Sequence, residues 1–290
     1  MSSEKIPIVS VVSFTYNHEK YIRQALNGFV NQKTNFEYEI IIHDDASTDN
    51  TQSIIKEYEH KHPDLFKPIY QNENQKSKGG GIVTRTAFSK AKGKYIALCE
   101  GDDYWTDPLK LQKQIDFLEK NPSYSGCFHQ ANVLHEDGSF TLMNNYQGNT
   151  AISFMDLIKK NMIATASCVY RRQDFHNNMP EWFYTLSAGD WAFHLLSLQK
   201  GDLYYMNDCM SVYRQHSGGA WSGLQKEDMV LRGVIIMQQL NEAFEYKYDK
   251  YFKAAIEERE KKLIDSKNKT LVDKGIGYKI KKIIKGLIGA

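Results

Sequence analysis

Glu100-Gly101-Asp102-Asp103-Tyr104-Trp105 is the stretch with the clearest chemical content in this sequence. Its two adjacent aspartates follow a short apolar run, Tyr95 to Cys99, that reads as a strand buried on both faces. Like charges a few ångströms apart raise each other's pKa unless a cation neutralises them. The cation suited to such oxygen ligands is divalent, and its usual companion in an enzyme site is a phosphate. The pattern therefore points to a site for a nucleoside diphosphate. Asp107-Pro108 follows as the N-cap and first-turn pair of the next helix.

The elements that must position these groups can be read along the chain. Ile8 to Phe14 is a first strand, ended by Thr15, Tyr16 and Asn17, with Asn17 as N-cap of a helix that carries Tyr21, Ile22, Ala25, Leu26, Phe29 and Val30 on one face. Tyr38 to Ile42 is a second strand, ending in His43, Asp44 and Asp45, and Ser47 or Thr48 caps a helix through Ile54, Ile55 and Tyr58. Phe66 to Tyr70 gives a third strand, and Gly79-Gly80-Gly81 leads into a helix through Ile82, Val83 and Phe88 that Gly93 ends. Continuous apolar strands alternating with helices imply an α/β fold on a mostly parallel sheet covered on both faces. Ligands of such sheets bind at the carboxyl ends of the strands, where Asn17, Asp44, Asp45, Asp102 and Asp103 all fall. Further on, 124–134 and 165–170 read as strands, 190–198 as a helix, and 203–213 as one or two strands. Residues 139–150 look irregular, and a single long helix is expected from Lys226 to about Asp265.

Composition sets the bounds. The chain has 290 residues, enough for one large domain with an appendage. The expected division is a first domain over 1–225 and a helical extension over 226–290. Cys99, Cys127, Cys168 and Cys209 are widely spaced and form no CxxC pair, which reads as reduced thiols in a cytosolic protein and argues against a zinc site. No run reaches the roughly 20 apolar residues of a membrane span, and the N-terminus carries no apolar signal-peptide core. A net charge of +2 gives no nucleic-acid signal. The charge is nonetheless uneven. Seven lysines against Asp273 give residues 266–290 a net +6, so the rest of the chain carries −4.

Four segments together resemble the family 2 glycosyltransferases of the GT-A fold, which is Rossmann-like. They are VSFTYNHEKYIRQAL (11–25), EIIIHDDASTDNT (39–51), AKGKYIALCEGDDYWTDPLKLQKQIDFLE (91–119) and AGDWAFH (188–194). The resemblance covers about residues 7–222. It implies transfer of a sugar from a nucleoside diphosphate to an acceptor hydroxyl, with inversion at the anomeric carbon. It assigns Thr15, Tyr16, Asn17, Asp44 and Asp45 to base and ribose, with Asp44 at the more informative position. A carboxylate there accepts the imide N–H of uracil or thymine, which favours a UDP-sugar donor, with dTDP-sugars next. It places Asp102 near the ribose and Asp103 on Mn or Mg, with Glu100 standing where the family often has Asp. Asp190 becomes the general base, and with Gly189 in place of a second acid it is the sole choice. His216, in the Gly-rich loop 212–223, resembles a histidine that some relatives set against the metal or diphosphate, and the loop suits a lid.

Other residues are candidates on their own chemistry. Lys78 and Arg85 flank the Gly-rich segment and are candidates for phosphate or ribose oxygens. Trp182, Trp191 and Trp221 are candidates for stacking on a sugar or closing over the acceptor. In the tail, Ile276, Ile280, Ile283, Ile284, Leu287 and Ile288 share one helical face and lysines the other. Such a helix suits an anionic membrane surface, or packing on protein, including a second copy of the chain in a homo-oligomer. The expectation is thus a cytoplasmic enzyme, peripheral on the inner face of the membrane, acting on a glycan or lipid-linked glycan acceptor. Two rivals stand beside it. A sugar nucleotidyltransferase would want a basic Gly-rich loop after the first strand, where this chain has Thr15-Tyr16-Asn17-His18. A non-catalytic carbohydrate-binding or scaffold protein would not need the full acidic set.

Overall fold

A computed structural model describes residues 6–78, 81–173, 176, 179–186, 189–219 and 225–273. The chain divides into two compact units, Met1–Gly219 and Ala220–Ala290. The first is built on a ten-stranded sheet. Its leading strands are β1 (Val9–Thr15), β2 (Tyr38–Asp44), β3 (Ile69–Tyr70) and β4 (Tyr95–Leu98). β1 pairs in parallel with β2 and β4, and β2 with β3. Val9, Val11, Val12, Ile40, Ile41, Ile42, Ile96 and Ala97 are all fully buried. Both faces of these strands are therefore covered, as their unbroken apolar character requires. The covering helices are α1 (Ile22–Val30), α2 (Thr51–Lys61), α3 (Ile82–Lys90) and α4 (Lys110–Lys120). α1 buries Ile22, Ala25, Leu26 and Phe29, one stripe at helical spacing. Each such large side chain contributes about 1.5–3 kcal/mol on burial, which outweighs the weak intrinsic helix preference of Ile and Phe.

Beyond β4 the sheet becomes mixed. β5 (Tyr104–Trp105), β6 (Gly126–Leu134), β9 (Val169–Arg171) and β10 (Leu203–Arg214) complete the spatial order β3-β2-β1-β4-β9-β6-β10-β5. β9 runs antiparallel between β4 and β6, β10 is parallel to β6, and β5 returns antiparallel to β10. β7 (Phe140–Leu142) and β8 (Thr150–Ile152) join at the edges. Two shorter helices, α5 (Phe154–Lys159) and α6 (Gly189–Ser197), follow in sequence. Trp105 locks the return of β5. Its Nε1 donates to the Ala166 carbonyl at 2.8 Å, its ring meets Phe29 at 4.8 Å, and the buried Lys110 ammonium lies 4.1 Å above it. The Glu100–Asp103 turn is thereby fixed from behind.

The second unit contains α7 (Lys226–Ala243) and α8 (Asp249–Asp273), with Phe244 and Phe252 stacked at 6.3 Å. The single long helix expected here is broken. Glu245 and Tyr246 take left-handed conformations, φ 51° and 57°, and reverse the chain. No helix of the described residues is long and apolar enough to cross a membrane. The amphipathic pattern of 276–288 lies outside the described residues.

Local expectations are corrected in five further places. Asp107 does not cap α4, whose N-cap residue is Leu109; the Leu109 amide donates to Asp107 Oδ1 at 2.8 Å. Asn17 does not cap α1, whose N-cap residue is Tyr21; Asn17 has φ 55° and faces Thr48 instead. Neither Ser47 nor Thr48 caps α2, whose first amide, that of Thr51, is held by Asp49 at 2.9 Å. The third strand shrinks to Ile69–Tyr70, with one isolated bridge between Ile40 and Phe66. The run 165–170 opens as a 3-10 turn at Thr165–Ser167 before β9 begins. Cys99, Cys127 and Cys168 are buried free thiols and Cys209 is exposed.

Candidate active site

β1, β2 and β4 run parallel, so their carboxyl ends meet at one edge. Thr15 stands opposite Asp44 in register, the Asp45 amide donates to the Thr15 carbonyl at 3.0 Å, and the Gly101 amide donates to the Phe14 carbonyl at 2.9 Å. The three polar turns that follow these strands are thus neighbours.

The first acidic pair diverges. Asp44 is fully buried. One of its oxygens accepts from the Ser47 amide at 3.0 Å and the Gln52 side chain at 2.7 Å, the other from the Ser47 hydroxyl at 2.5 Å. The Asn17 amide donates to Ser47 Oγ at 2.9 Å, and Asn17 Oδ1 accepts from the Thr48 amide at 2.8 Å. Asp44 therefore holds its own turn together at the end of β2. Asp45 points the other way and accepts the Gln75 and Lys76 amides at 2.8 and 3.0 Å. Tyr16 is 42% exposed, and the Thr15 hydroxyl is buried with no partner within the protein.

The second pair also splits. Asp103 is nearly buried, and one of its oxygens accepts the Arg214 amide at 2.8 Å, tying the turn to the end of β10. Arg214 reinforces this contact. Its Nε donates to the Asp102 carbonyl at 2.8 Å, its terminal nitrogen reaches Gln24, and its guanidinium lies between the Tyr21 and Tyr104 rings at 5.1 and 4.7 Å. Asp102 faces outward to two imidazoles. Its Oδ2 is 3.1 Å from His216 Nε2 and 3.8 Å from His18 Nε2, while its Oδ1 is buried with no partner among the described residues. His216 rests on Tyr21 at 4.8 Å. Asp102 thus lies beside His216, while Asp103 has one carboxylate oxygen, Oδ1, engaged by the Arg214 amide.

Glu100 and Asp190 meet across a cavity of about 440 Å³. Phe14, Lys76, Leu98, Thr165, Tyr184 and His194 are among its other lining residues. Asp190 opens α6, and its Oδ2 accepts from Asn161 Nδ2 at 3.3 Å. Burial raises its pKa, against the helix-end amides and Asn161. Withdrawal from solvent, followed by the charges of Asp102 and Asp190, lifts Glu100 to about 7. Burial and then the Asp102 charge push Asp103 well up. Two carboxylates with raised pKa values, Glu100 and Asp190, line the cavity, and a third, Asp103, lies three residues beyond Glu100; such crowding of acids is what a cation or its surrogate would relieve.

The remaining expected site residues are dispersed. Lys78 pairs with Glu73 on the exposed surface, and the lysine lining the cavity is Lys76. Arg85 is committed to Tyr184, with its guanidinium 4.3 Å above the ring and Nε 3.0 Å from the hydroxyl, and its far end is 3.4 Å from Glu181. Trp191 is a core residue. It is 6% exposed and its Nε1 donates to the Leu157 carbonyl at 2.9 Å, so it is corrected from the acceptor side to the interior. Trp221 lies outside the described residues. Sequence reasoning passed over His18, Arg214, Tyr184 and His194. Two of these had a usable signal: His18 directly follows Asn17 at the rim, and His194 lies one helical turn beyond Asp190.

Among the described residues, no three or more His, Cys, Asp or Glu side chains form a ready-made metal cage. A divalent ion that serves a diphosphate needs only one or two protein carboxylates, because the phosphates complete its shell. The orphaned oxygen of Asp102, with two imidazoles beside it, fits that requirement, and carboxylate oxygen suits both Mn and Mg.

Comparison with known proteins places this geometry. An uncharacterised protein of Mycobacterium tuberculosis is 42% identical over 214 residues, 73% of this chain and 60% of its own length. The chain therefore spans about three-fifths of the mycobacterial relatives it matches. The putative teichuronic acid biosynthesis glycosyltransferase TuaG of Bacillus subtilis is 29% identical over 235 residues, 79% of this chain and 88% of its own. Among solved structures, S. aureus TarS 1-349 in complex with UDP-GlcNAc superposes with a TM-score of 0.60 at 20% identity, covering 80% of this chain and 66% of that one. This likeness establishes the GT-A fold. The model of the family described as "Glycosyl transferase family 2" matches residues 10–178. With that pattern running through more than half of its length, the chain belongs to glycosyl transferase family 2.

Proposed function

We propose that this protein transfers a sugar, with inversion, from a UDP-sugar to a hydroxyl of a glycan or lipid-linked glycan acceptor, and that it requires a divalent metal. The observation that carries the proposal is the convergence of Glu100 and Asp190, ninety residues apart in sequence, on one cavity at the carboxyl edge of the sheet. The UDP-GlcNAc in complex with TarS and the teichuronic acid biosynthesis named for TuaG support the donor and acceptor classes.

In this reading Asp190 accepts the proton of the acceptor hydroxyl as its oxygen attacks the anomeric carbon, and the bond to the diphosphate breaks on the opposite face. Its raised pKa makes it a stronger base than a solvated carboxylate, and Asn161 orients it. Asp102 with His216, and His18 beside them, would hold Mn or Mg. When bound, that ion would neutralise charge on the departing nucleoside diphosphate. Lys76 faces the same cavity and is placed to add positive charge. The apolar walls keep water from competing with the acceptor.

Asp190→Asn tests the proposal. The variant should bind UDP with Mn as the wild type does, while donor turnover falls by about 10²–10⁴, the usual worth of a positioned base. Unchanged turnover would remove Asp190 from the mechanism, and an unchanged protein with no turnover in either form would favour a binding module.

A further inference from the structure

His194 is a second polar group on the helix face that carries Asp190, one turn deeper. It is fully buried, yet it lines the same 440 Å³ cavity. Its Nδ1 is 2.6 Å from the Tyr170 hydroxyl, and its Nε2 has no hydrogen-bond partner among the described residues. A buried ring nitrogen left without a partner costs about 1–3 kcal/mol. One that borders a ligand-sized cavity is therefore more economically explained by a ligand than by packing.

The surroundings restrict what that ligand group is. Phe88 and Phe193 stack face to face at 5.2 Å, and Phe14 meets Phe88 edge-on at 6.4 Å. These three rings and Leu98 form an apolar wall of the cavity. With the Tyr170 phenol donating to Nδ1, the imidazole carries its hydrogen on Nε2 and offers one N–H to an otherwise apolar end. Burial holds the ring's pKa down to about 3, so it serves as a neutral donor and not as an acid. A ring hydroxyl would gain one hydrogen bond there but would leave its remaining polar capacity against phenylalanine. An acetamido group matches both features, since its carbonyl oxygen accepts one N–H and its methyl group packs on the rings.

We propose that His194 is a specificity-determining residue, and that its Nε2–H donates, inside this cavity, to the acetamido carbonyl oxygen of a UDP-N-acetylhexosamine donor. This deepens, and rests on, the reading of the cavity as a sugar-nucleotide site. Sites built to hydrogen-bond a substrate group discriminate strongly against analogues that lack it, whereas apolar contact alone discriminates weakly.

The test compares UDP-GlcNAc with UDP-Glc, and UDP-GalNAc with UDP-Gal, on the full chain with Mn, reading calorimetric Kd and donor hydrolysis. Wild type should favour the acetamido member of at least one pair by tenfold or more. His194→Leu, which cannot donate, should reduce that ratio to about threefold or less. His194→Gln, whose amide nitrogen reaches the same place, should restore most of it and so separates loss of the hydrogen bond from loss of the fold. Tyr170→Phe should lower the ratio by freeing the imidazole to turn. Equal affinities within both pairs in the wild type would overturn the proposal, as would a folded His194→Leu protein that keeps the ratio, or a folded His194→Gln protein that behaves as the leucine variant does. Failure of UDP itself to bind would instead refute the sugar-nucleotide reading, which keeps the two failures distinct.

Discussion

At the scale of single residues, the site is a set of acids held in the wrong protonation range for water. Glu100 is the clearest case. It opens to the cavity, yet its pKa rises from 4.5 to about 7 because it is partly withdrawn from solvent and faces Asp102 and Asp190. A carboxyl whose folded pKa exceeds its unfolded value binds its proton more tightly in the folded state. Its contribution to stability is therefore complete below about pH 4.5 and is lost as pH rises through about 7. Buried His194 and His176, lowered to about 3 and 4, act in the opposite direction and lose stability as pH falls below 6.5. Comparing wild type with Glu100→Gln cancels the histidines. Without added metal, the variant's melting temperature should gain on the wild type between pH 5 and pH 8. After discounting for solvent screening the gain should be about 1 kcal/mol or less, roughly 2 °C for a unit of this size. Saturating Mn should shrink the difference, since the cation takes over the neutralising role. A difference that is flat with pH would mean that Glu100 does not feel its acidic neighbours. The sequence displayed these acids because each one ends an apolar run. It did not display their partners, because Asp44 is held by Ser47 and Gln52, and one oxygen of Asp103 by an amide 111 residues away.

At the scale of elements, the parallel half of the sheet was legible and the mixed half was not. β1, β2 and β4 are apolar throughout and separated by amphipathic helices, so both their burial and their direction follow from local pattern. β9 inserts between β4 and β6, and β10 lies beside β6, through pairings that no local spacing encodes. The cavity wall depends on another non-local contact. Gly81, the N-cap of α3, has φ 55°, and a Cβ placed there would lie 2.1 Å from the Tyr184 ring. Arg85 clamps the other side of that ring. Gly81→Ala should therefore cost about 1–3 kcal/mol, from a left-handed non-glycine residue together with displacement of the ring, and should weaken UDP-sugar binding because both segments line the cavity. Urea unfolding of the double variant with Tyr184→Ala provides the check. If the latch is real, the second change relieves the clash, and the two effects sum to less than their separate costs. Strict additivity would show that Gly81 is kept only for its backbone.

At the scale of the whole molecule, the site belongs to one unit of a two-unit chain. Residues from β1, β2, β4, α3, α6 and the end of β10 meet within 1–219, whereas α7 and α8 form the second unit. Segments so distant in sequence stay together only while the first unit is folded, so ligand that bridges them must raise that unit's stability. Ligand at one hundred times its Kd adds about 2.7 kcal/mol to the folded state. For a unit of about 200 residues this corresponds to roughly 5–10 °C in melting temperature. Scanning calorimetry of the full chain with UDP and Mn should show such a shift in the transition of the larger heat change, which belongs to the larger unit. UDP with EDTA should give much less of it, because the phosphates then meet Glu100, Asp102 and Asp190 without an intervening cation. Substituting Asp102→Ala should abolish the part of the shift that depends on Mn, while substituting Asp103→Ala should lower the starting stability through the lost Arg214 anchor. If UDP alone shifts the transition as far as UDP with Mn, the acids are not gathered for a metal and the assignment of Asp102 to one fails.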